Sequence, residues 1–326
     1  MKRVQLTGLG KPEEVCTVAR VEAAGAPAAN EVVVAIKAAA INPADRQIME
    51  GRYPGPTAFP ANLGIEGAGE VVAVGDEVSN LMVGDRVMSL GRENWVERVR
   101  GDAAMFVKLP PAIAWEDAAQ LKANPPSAHL MINNYVDLEA GDWIVQNAAN
   151  SAVGRHVIRL ARTRGLKTVN VVRRDSLIPE LEAIGADLVL VDGDDLGKRV
   201  RDVLGADAKV RLAIDAVAGA ATMRLADTLS NGGTVVNYGF LDGNPCLLSP
   251  HQAVFQGISL TGFWLAGYLP HAERSEVEAL YAKMAQHFID GELDVPVEAQ
   301  YALDDVQKAV AHANAEARSG KILLRT

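Results

Sequence analysis

A chain of 326 residues accommodates two domains at roughly 100 to 200 residues per domain. Hydrophobic residues make up 49% and charged residues 22%, enough for two ordinary cores, which excludes a disordered or fibrous chain. The net charge of −9 argues against a broad electrostatic grip on nucleic acid or on an anionic membrane.

Two cysteines, Cys16 and Cys246, are too few for a disulfide framework or a four-thiolate zinc lobe, and the expected setting is reducing and cytoplasmic. Met1 to Gly8 runs straight into a strand-like pattern, without a long apolar h-region or an Arg/Ser-rich presequence. No stretch reaches the roughly 18 apolar residues of a membrane span. A soluble protein is expected.

The first third reads as short strands between glycine-rich turns, at Glu31 to Lys37, Gly69 to Gly75 and Asp85 to Met88. A short helix is expected over Pro43 to Met49. After Pro110-Pro111 strands alternate with helical stretches, the signature of βαβ units and a parallel sheet. The candidate strands are Trp143 to Asn147, Thr168 to Val172, Leu188 to Val191, Leu212 to Asp215, Thr234 to Asn237 and Ser259 to Thr261, enough for a complete doubly wound sheet. From about Leu265 the alternation stops. Two helical segments, Ala272 to Ile289 and Leu303 to Ala315, precede a last strand at Lys321 to Arg325, and this tail is expected to return to the first domain and make it discontinuous. The expected fold is α/β, with a β-rich domain over 1–117 and 266–326 and a Rossmann domain over 118–265.

The segment from Trp143 to Gly154 carries an apolar strand through small residues into a helix, Arg155 to Arg164. The unpaired N–H groups and positive dipole at a helix start can seat a pyrophosphate there. Only Gly154 remains of the usual three glycines, so the turn alone is equally compatible with a plain structural connection. The six-strand context favours the nucleotide. Arg173 and Arg174 stand 19 and 20 residues after Gly154, where an NAD-binding fold carries an acid for the ribose 2′-hydroxyl. Two guanidiniums favour a 2′-phosphate, hence NADPH, although a solvated strand end and the nearby Asp175 are the competing reading.

Over nearly its full length the sequence resembles the medium-chain dehydrogenase/reductase superfamily, through Asn62 to Gly75 and Val83 to Val87. That resemblance implies a GroES-like first domain. Zinc-dependent members would place a ligating His at Ile65 and a Cys at Asn42, and an apolar Ile65 cannot bind a metal, so no zinc is expected. Within the zinc-free branch, Asn124 to His129, Gln146 to Gly154, Asn170 to Arg173 and Gly262 to Leu265 resemble trans-2-enoyl thioester reductases of the mitochondrial type. This implies NADPH contacts at Asn124, Asn150, Ser151, Ala152, Val153, Arg173, Arg174, Tyr238, Gly239, Phe240, Leu241, Phe263, Trp264, Leu265 and Lys321, with Ala152 replacing a usual glycine. It also implies Tyr53 as the proton donor, and a homodimer formed through the edge strand near Ser259 to Thr261.

The reaction implied is NADPH-dependent reduction of the C2=C3 bond of an enoyl thioester, linked to CoA or to an acyl carrier protein, held between the domains. A phenol stays protonated at neutral pH and can serve as general acid. Phe263 and Trp264 fit an acyl-pocket wall or plain core packing equally well. An NADPH:quinone reductase of the same fold, in which Tyr53 has no obligatory role, and a non-catalytic NADPH-binding protein are the alternatives.

Overall fold

The structure is a computed structural model and describes residues 1–205, 207–315 and 318–326. It divides into two compact units, Met1–Ala123 with Glu273–Thr326, and Asn124–Ala272. The dividing points fall at 123/124 and 272/273, where the sequence pattern placed them at 117/118 and 265/266.

The first unit is β-rich. Its larger sheet orders the strands Val297–Ala302, Lys321–Arg325, Glu31–Ala40, Ala68–Val74, Arg86–Ser89 and Phe106–Lys108, with Arg98–Asp102 also paired to Glu31–Ala40. Only the pairing of Val297–Ala302 with Lys321–Arg325 is parallel. A smaller antiparallel sheet joins Cys16–Arg20, Lys2–Leu6 and Ala61–Asn62. The long strand Glu31–Ala40 buries Val32, Val34 and Ile36 in a core shared with Val4, Leu6, Trp95, Phe106 and Leu324. The tail therefore belongs to this unit, as expected, because Leu323 to Arg325 pair with Ala38 to Ala40. Fully burying aliphatic side chains of this kind stabilises by roughly 1.5–3 kcal/mol each, and this unit rests on that.

The second unit is a six-stranded, wholly parallel sheet ordered Leu188–Val191, Lys167–Val172, Trp143–Gln146, Val210–Asp215, Thr234–Asn237 and Ser259–Gly262. Numbered along the chain this is the 3-2-1-4-5-6 order of the Rossmann fold. Helices Ala152–Thr163, Ile178–Ala183, Leu196–Leu204 and Gly219–Ala226 make the first four crossovers. The fifth departs from expectation: between Thr234–Asn237 and Ser259–Gly262 the helical element is a five-residue π-helix, His251–Phe255. Gly243, Pro245 and Pro250 explain it, since each breaks the run that a longer helix needs. Among the described residues no helix is long and apolar enough to cross a membrane.

Candidate active site

In the second unit the strand Trp143–Gln146 ends in a tight turn, in which Ala148 takes the left-handed conformation at φ 47° and Ser151 N closes the turn by donating to Ala148 O at 2.8 Å. Ser151 caps the helix Ala152–Thr163, its Oγ accepting from Gly154 N at 3.1 Å. A Cβ at Gly154 would lie 2.4 Å from the Ala149 carbonyl oxygen, so glycine is required for the helix to pack this close to the turn. Gln146 donates from Nε2 to Gly154 O and to Asn170 Oδ1, at 2.9 and 2.8 Å, which ties the helix start to the neighbouring strand. Asn170 is therefore a buried structural residue. Asn150 is exposed, Ser151 and Ala152 are half-buried, and Val153 is buried.

Because the strands are parallel, their carboxyl ends share one sheet edge, and most of the expected nucleotide residues lie there. Arg173 and Arg174 follow Lys167–Val172 and are exposed, and among the described residues neither forms an ion pair. The acid at the end of the adjacent strand is neutralised, since Asp192 accepts from Arg224 at 2.8 and 2.6 Å. Tyr238 to Leu241 follow Thr234–Asn237. Gly239 sits where a Cβ would come 2.7 Å from Ala216 O. The Tyr238 hydroxyl is hydrogen-bonded to the Ser151 side chain, and burial raises its pKa above the usual phenol value. This bond brings the turn at Ser151 together with the Tyr238 loop. Phe263 N donates to Asn237 O at 2.8 Å, and the Phe263 ring is buried edge-to-face against Tyr135, centroids 6.4 Å apart. Trp264 is 48% exposed, and Leu265 and Phe240 are half-buried. Asn124 heads the helix Asn124–Asn134, followed by two prolines suited to a first turn.

Tyr53 and Lys321 lie in the other unit. Tyr53 follows the helix Pro43–Met49 on an irregular loop, its ring half-buried against the β-rich core. The guanidinium of Arg92 stands over that ring, 5.6 Å from its centroid, and donates to Pro54 O at 3.0 Å.

Lys321 is buried in a charged cluster that the sequence reading did not assemble. Its ammonium donates to Asn42 Oδ1, while Asn42 Nδ2 donates to Glu66 Oε1 at 2.6 Å. Glu66 Oε2 accepts from Ala123 N at 3.0 Å. Asp45 reaches back over the first turn of its helix to accept from Asn42 N at 2.8 Å, and also accepts from Ile65 N at 3.0 Å. Burial outweighs those bonds and pushes the Asp45 carboxyl up to about 6. Lys122 donates to Ile65 O at 2.8 Å and to Gly91 O at 2.6 Å, and its burial lowers the ammonium to about 8. Burial likewise lowers Lys321. One signal of this cluster was legible: an acid three residues after Asn42, with Pro43 between, marks a helix start. Glu66, inside an apolar run, gave no comparable sign.

This cluster does not suit zinc. Ile65 offers no donor, Asn42 is engaged with Glu66 and Lys321, and two buried ammonium groups would oppose a dication. Among the described residues no three His, Cys, Asp or Glu side chains gather for a metal.

Two family models match the chain, the alcohol dehydrogenase GroES-like domain over residues 28–111 and the zinc-binding dehydrogenase over 152–286. The chain is 36% identical over 310 residues to a Caenorhabditis elegans protein named mitochondrial enoyl-[acyl-carrier-protein] reductase, covering 93% of this chain and 89% of that one. The solved complex of Etr1p with NADP and crotonyl-CoA superposes with a TM-score of 0.88 at 25% identity, covering 100% and 99%. Etr1p is also solved with Etr2p as a mitochondrial 2-enoyl thioester reductase heterodimer from Candida tropicalis. Escherichia coli quinone oxidoreductase complexed with NADPH superposes with a TM-score of 0.90 at 26% identity, covering 100% of each chain.

The names of these relatives, in nematode, human and Arabidopsis alike, are those of mitochondrial proteins, and they overturn the expectation of a cytoplasmic setting. That expectation rested on cysteine usage, which reports a reducing environment and does not separate one reducing compartment from another.

Proposed function

Because the chain belongs to the medium-chain dehydrogenase/reductase superfamily, we propose that it is an NADPH-dependent reductase of trans-2-enoyl thioesters. The observation that carries this reading is the 36% identity, over 93% of this chain, to a protein named mitochondrial enoyl-[acyl-carrier-protein] reductase. The site agrees with it, offering a loop phenol and a cluster unsuited to a metal. The unit Asn124–Ala272 is read as the NADPH-binding domain, and Met1–Ala123 with Glu273–Thr326 as the catalytic one.

NADPH, when bound, supplies the hydride that goes to C3 of the substrate. The helix start at Ser151 favours the pyrophosphate, and the unpaired Arg173 and Arg174 favour the 2′-phosphate, as the NADP of the Etr1p complex supports. Tyr53 donates the proton to C2, where enolate charge develops. No step needs a metal.

The edge strand Ser259–Gly262 is exposed throughout, and nearby Phe255 and Val254 are 75% and 71% exposed. An unpaired edge beside apolar side chains suits pairing with a second chain, and we read that chain as another copy of this one.

A quinone reductase is the second reading, favoured by the equally close fit to the Escherichia coli quinone oxidoreductase. The test is NADPH oxidation by the purified protein with crotonyl-CoA, a longer trans-2-enoyl-CoA and a simple quinone offered in parallel. Turnover with the thioesters alone is the expected result; turnover with the quinone alone moves the protein to the second reading. Tight NADPH binding without turnover of any acceptor makes it a non-catalytic binder.

A further inference from the structure

The loop that carries Tyr53 contains Pro54, Pro56 and Pro60, three residues with no backbone N–H to donate. A loop of this composition gains little from backbone bonding, so its position depends on contacts from outside. Arg92 makes two of them. Its guanidinium donates to the Pro54 carbonyl at 3.0 Å and lies 5.6 Å from the centroid of the Tyr53 ring.

Arg92 is itself held in place. The carbonyl of the preceding residue, Gly91, accepts from Asn94 Nδ2 at 2.9 Å and from the buried ammonium of Lys122 at 2.6 Å. The same two donors grip the far side, Asn94 at Gly64 O and Lys122 at Ile65 O, at 2.9 and 2.8 Å. Gly91 is thereby fastened to the Gly64–Ile65 segment, which holds the backbone next to Arg92. Among the described residues Arg92 forms no ion pair with a carboxylate; its guanidinium meets Pro54 O and the Tyr53 ring.

We propose that Arg92 is a positioning residue for the proton donor, fixing the Tyr53 loop and supplying a preorganised positive charge beside the phenol as it gives up its proton. The inference rests on Tyr53 being that donor. In the step, the Tyr53 O–H bond breaks and its proton forms the new C2–H bond; the tyrosine is left as a phenolate, which water reprotonates before the next turnover. The phenolate is attracted to the guanidinium more strongly than the neutral phenol is, and an interaction that strengthens along the reaction coordinate lowers the barrier. A neutral residue of similar volume loses that effect, and lysine keeps the charge without the fork that reaches Pro54 O.

The experiment is a double-mutant cycle on crotonyl-CoA reduction with the full chain, comparing wild type, Arg92→Met, Arg92→Lys, Tyr53→Phe and the Tyr53→Phe/Arg92→Met double variant, with melting curves for each. Arg92→Met should lower kcat about tenfold, leave the KM for NADPH within about twofold and keep the wild-type melting temperature, and Arg92→Lys should recover part of the loss. In the Tyr53→Phe background the same change should cost less than about twofold, since the charge then has no phenolate to act on. An equal loss in both backgrounds, or no loss in either, overturns the role of Arg92. A Tyr53→Phe enzyme with undiminished kcat instead removes the proton donor, and the proposal with it.

Discussion

In the unit Asn124–Ala272 the buried carboxylate of Asp215 is met by five donors: Asn147 Nδ2, Val217 N and Ala218 N on one oxygen, Thr222 Oγ1 and Asn237 Nδ2 on the other. In the β-rich unit the equally buried Asp45 has two backbone donors and shares its surroundings with Glu66, Lys122 and Lys321. The first carboxylate is a structural hub that fastens three strand ends by neutral partners. The second belongs to a group of opposed charges, in which burial pushes the Asp45 carboxyl up to about 6 and lowers the Lys122 ammonium to about 8. At equal burial the two differ in donor count and in neighbouring charge. The Asp215 hub holds the sheet edge where Ser151 and Tyr238 meet; the charged cluster holds the segments behind Arg92 and Tyr53.

The largest effect should come from breaking the hub. Asp215→Ala leaves five donors without their acceptor, and unfolding in denaturant should show a loss of about 4 kcal/mol, accompanied by weakened NADPH binding. A loss under about 1 kcal/mol would mean that these donors find other partners.

The charged cluster should be betrayed by pH. The folded pKa of Asp45, about 6, lies above its ordinary value of 3.8, so the folded state holds this proton more tightly than the unfolded chain does. The stability it contributes is fully present below about 3.8 and disappears as pH rises through 6, a change of about 3 kcal/mol. The stability of Asp45→Asn relative to wild type should therefore rise between pH 4 and pH 7. A difference that stays flat over that range would show that Asp45 remains charged throughout.

A smaller effect sharpens the nucleotide assignment. Replacing both Arg173 and Arg174 by Ala should raise the KM for NADPH roughly 30-fold, about 2 kcal/mol, and leave that for NADH nearly unchanged. Equal changes for the two nucleotides would remove the 2′-phosphate from these residues.

The contrast between the units also explains what could be read from the sequence. The parallel sheet was legible strand by strand, because βαβ units announce themselves through short apolar runs alternating with helical stretches, and Leu188 to Val191 is such a run. The β-rich unit was only partly legible. The strands Val297–Ala302 and Phe106–Lys108 carry weak patterns of their own and exist by pairing with distant segments. Arg173 could be placed because it follows directly from a strand, and Ser151 because it lies in the turn of small residues before a helix, whereas Tyr238 came only with the family resemblance. Lys321, Lys122, Asp45 and Glu66 lie far apart along the chain, and only the folded β-rich unit makes them one cluster. Phe263 illustrates the remaining gap: an aromatic next to a strand end reads alike as pocket wall or packing, and in the structure its ring packs edge-to-face on Tyr135.

The most direct measurement is the fate of crotonyl-CoA reduced in deuterium oxide with unlabelled NADPH, the product examined by NMR. The account predicts butyryl-CoA with one solvent deuterium at C2, delivered through Tyr53, and unlabelled hydrogen added at C3. A saturated product without deuterium at C2, or no saturated product while a quinone is reduced, would contradict it.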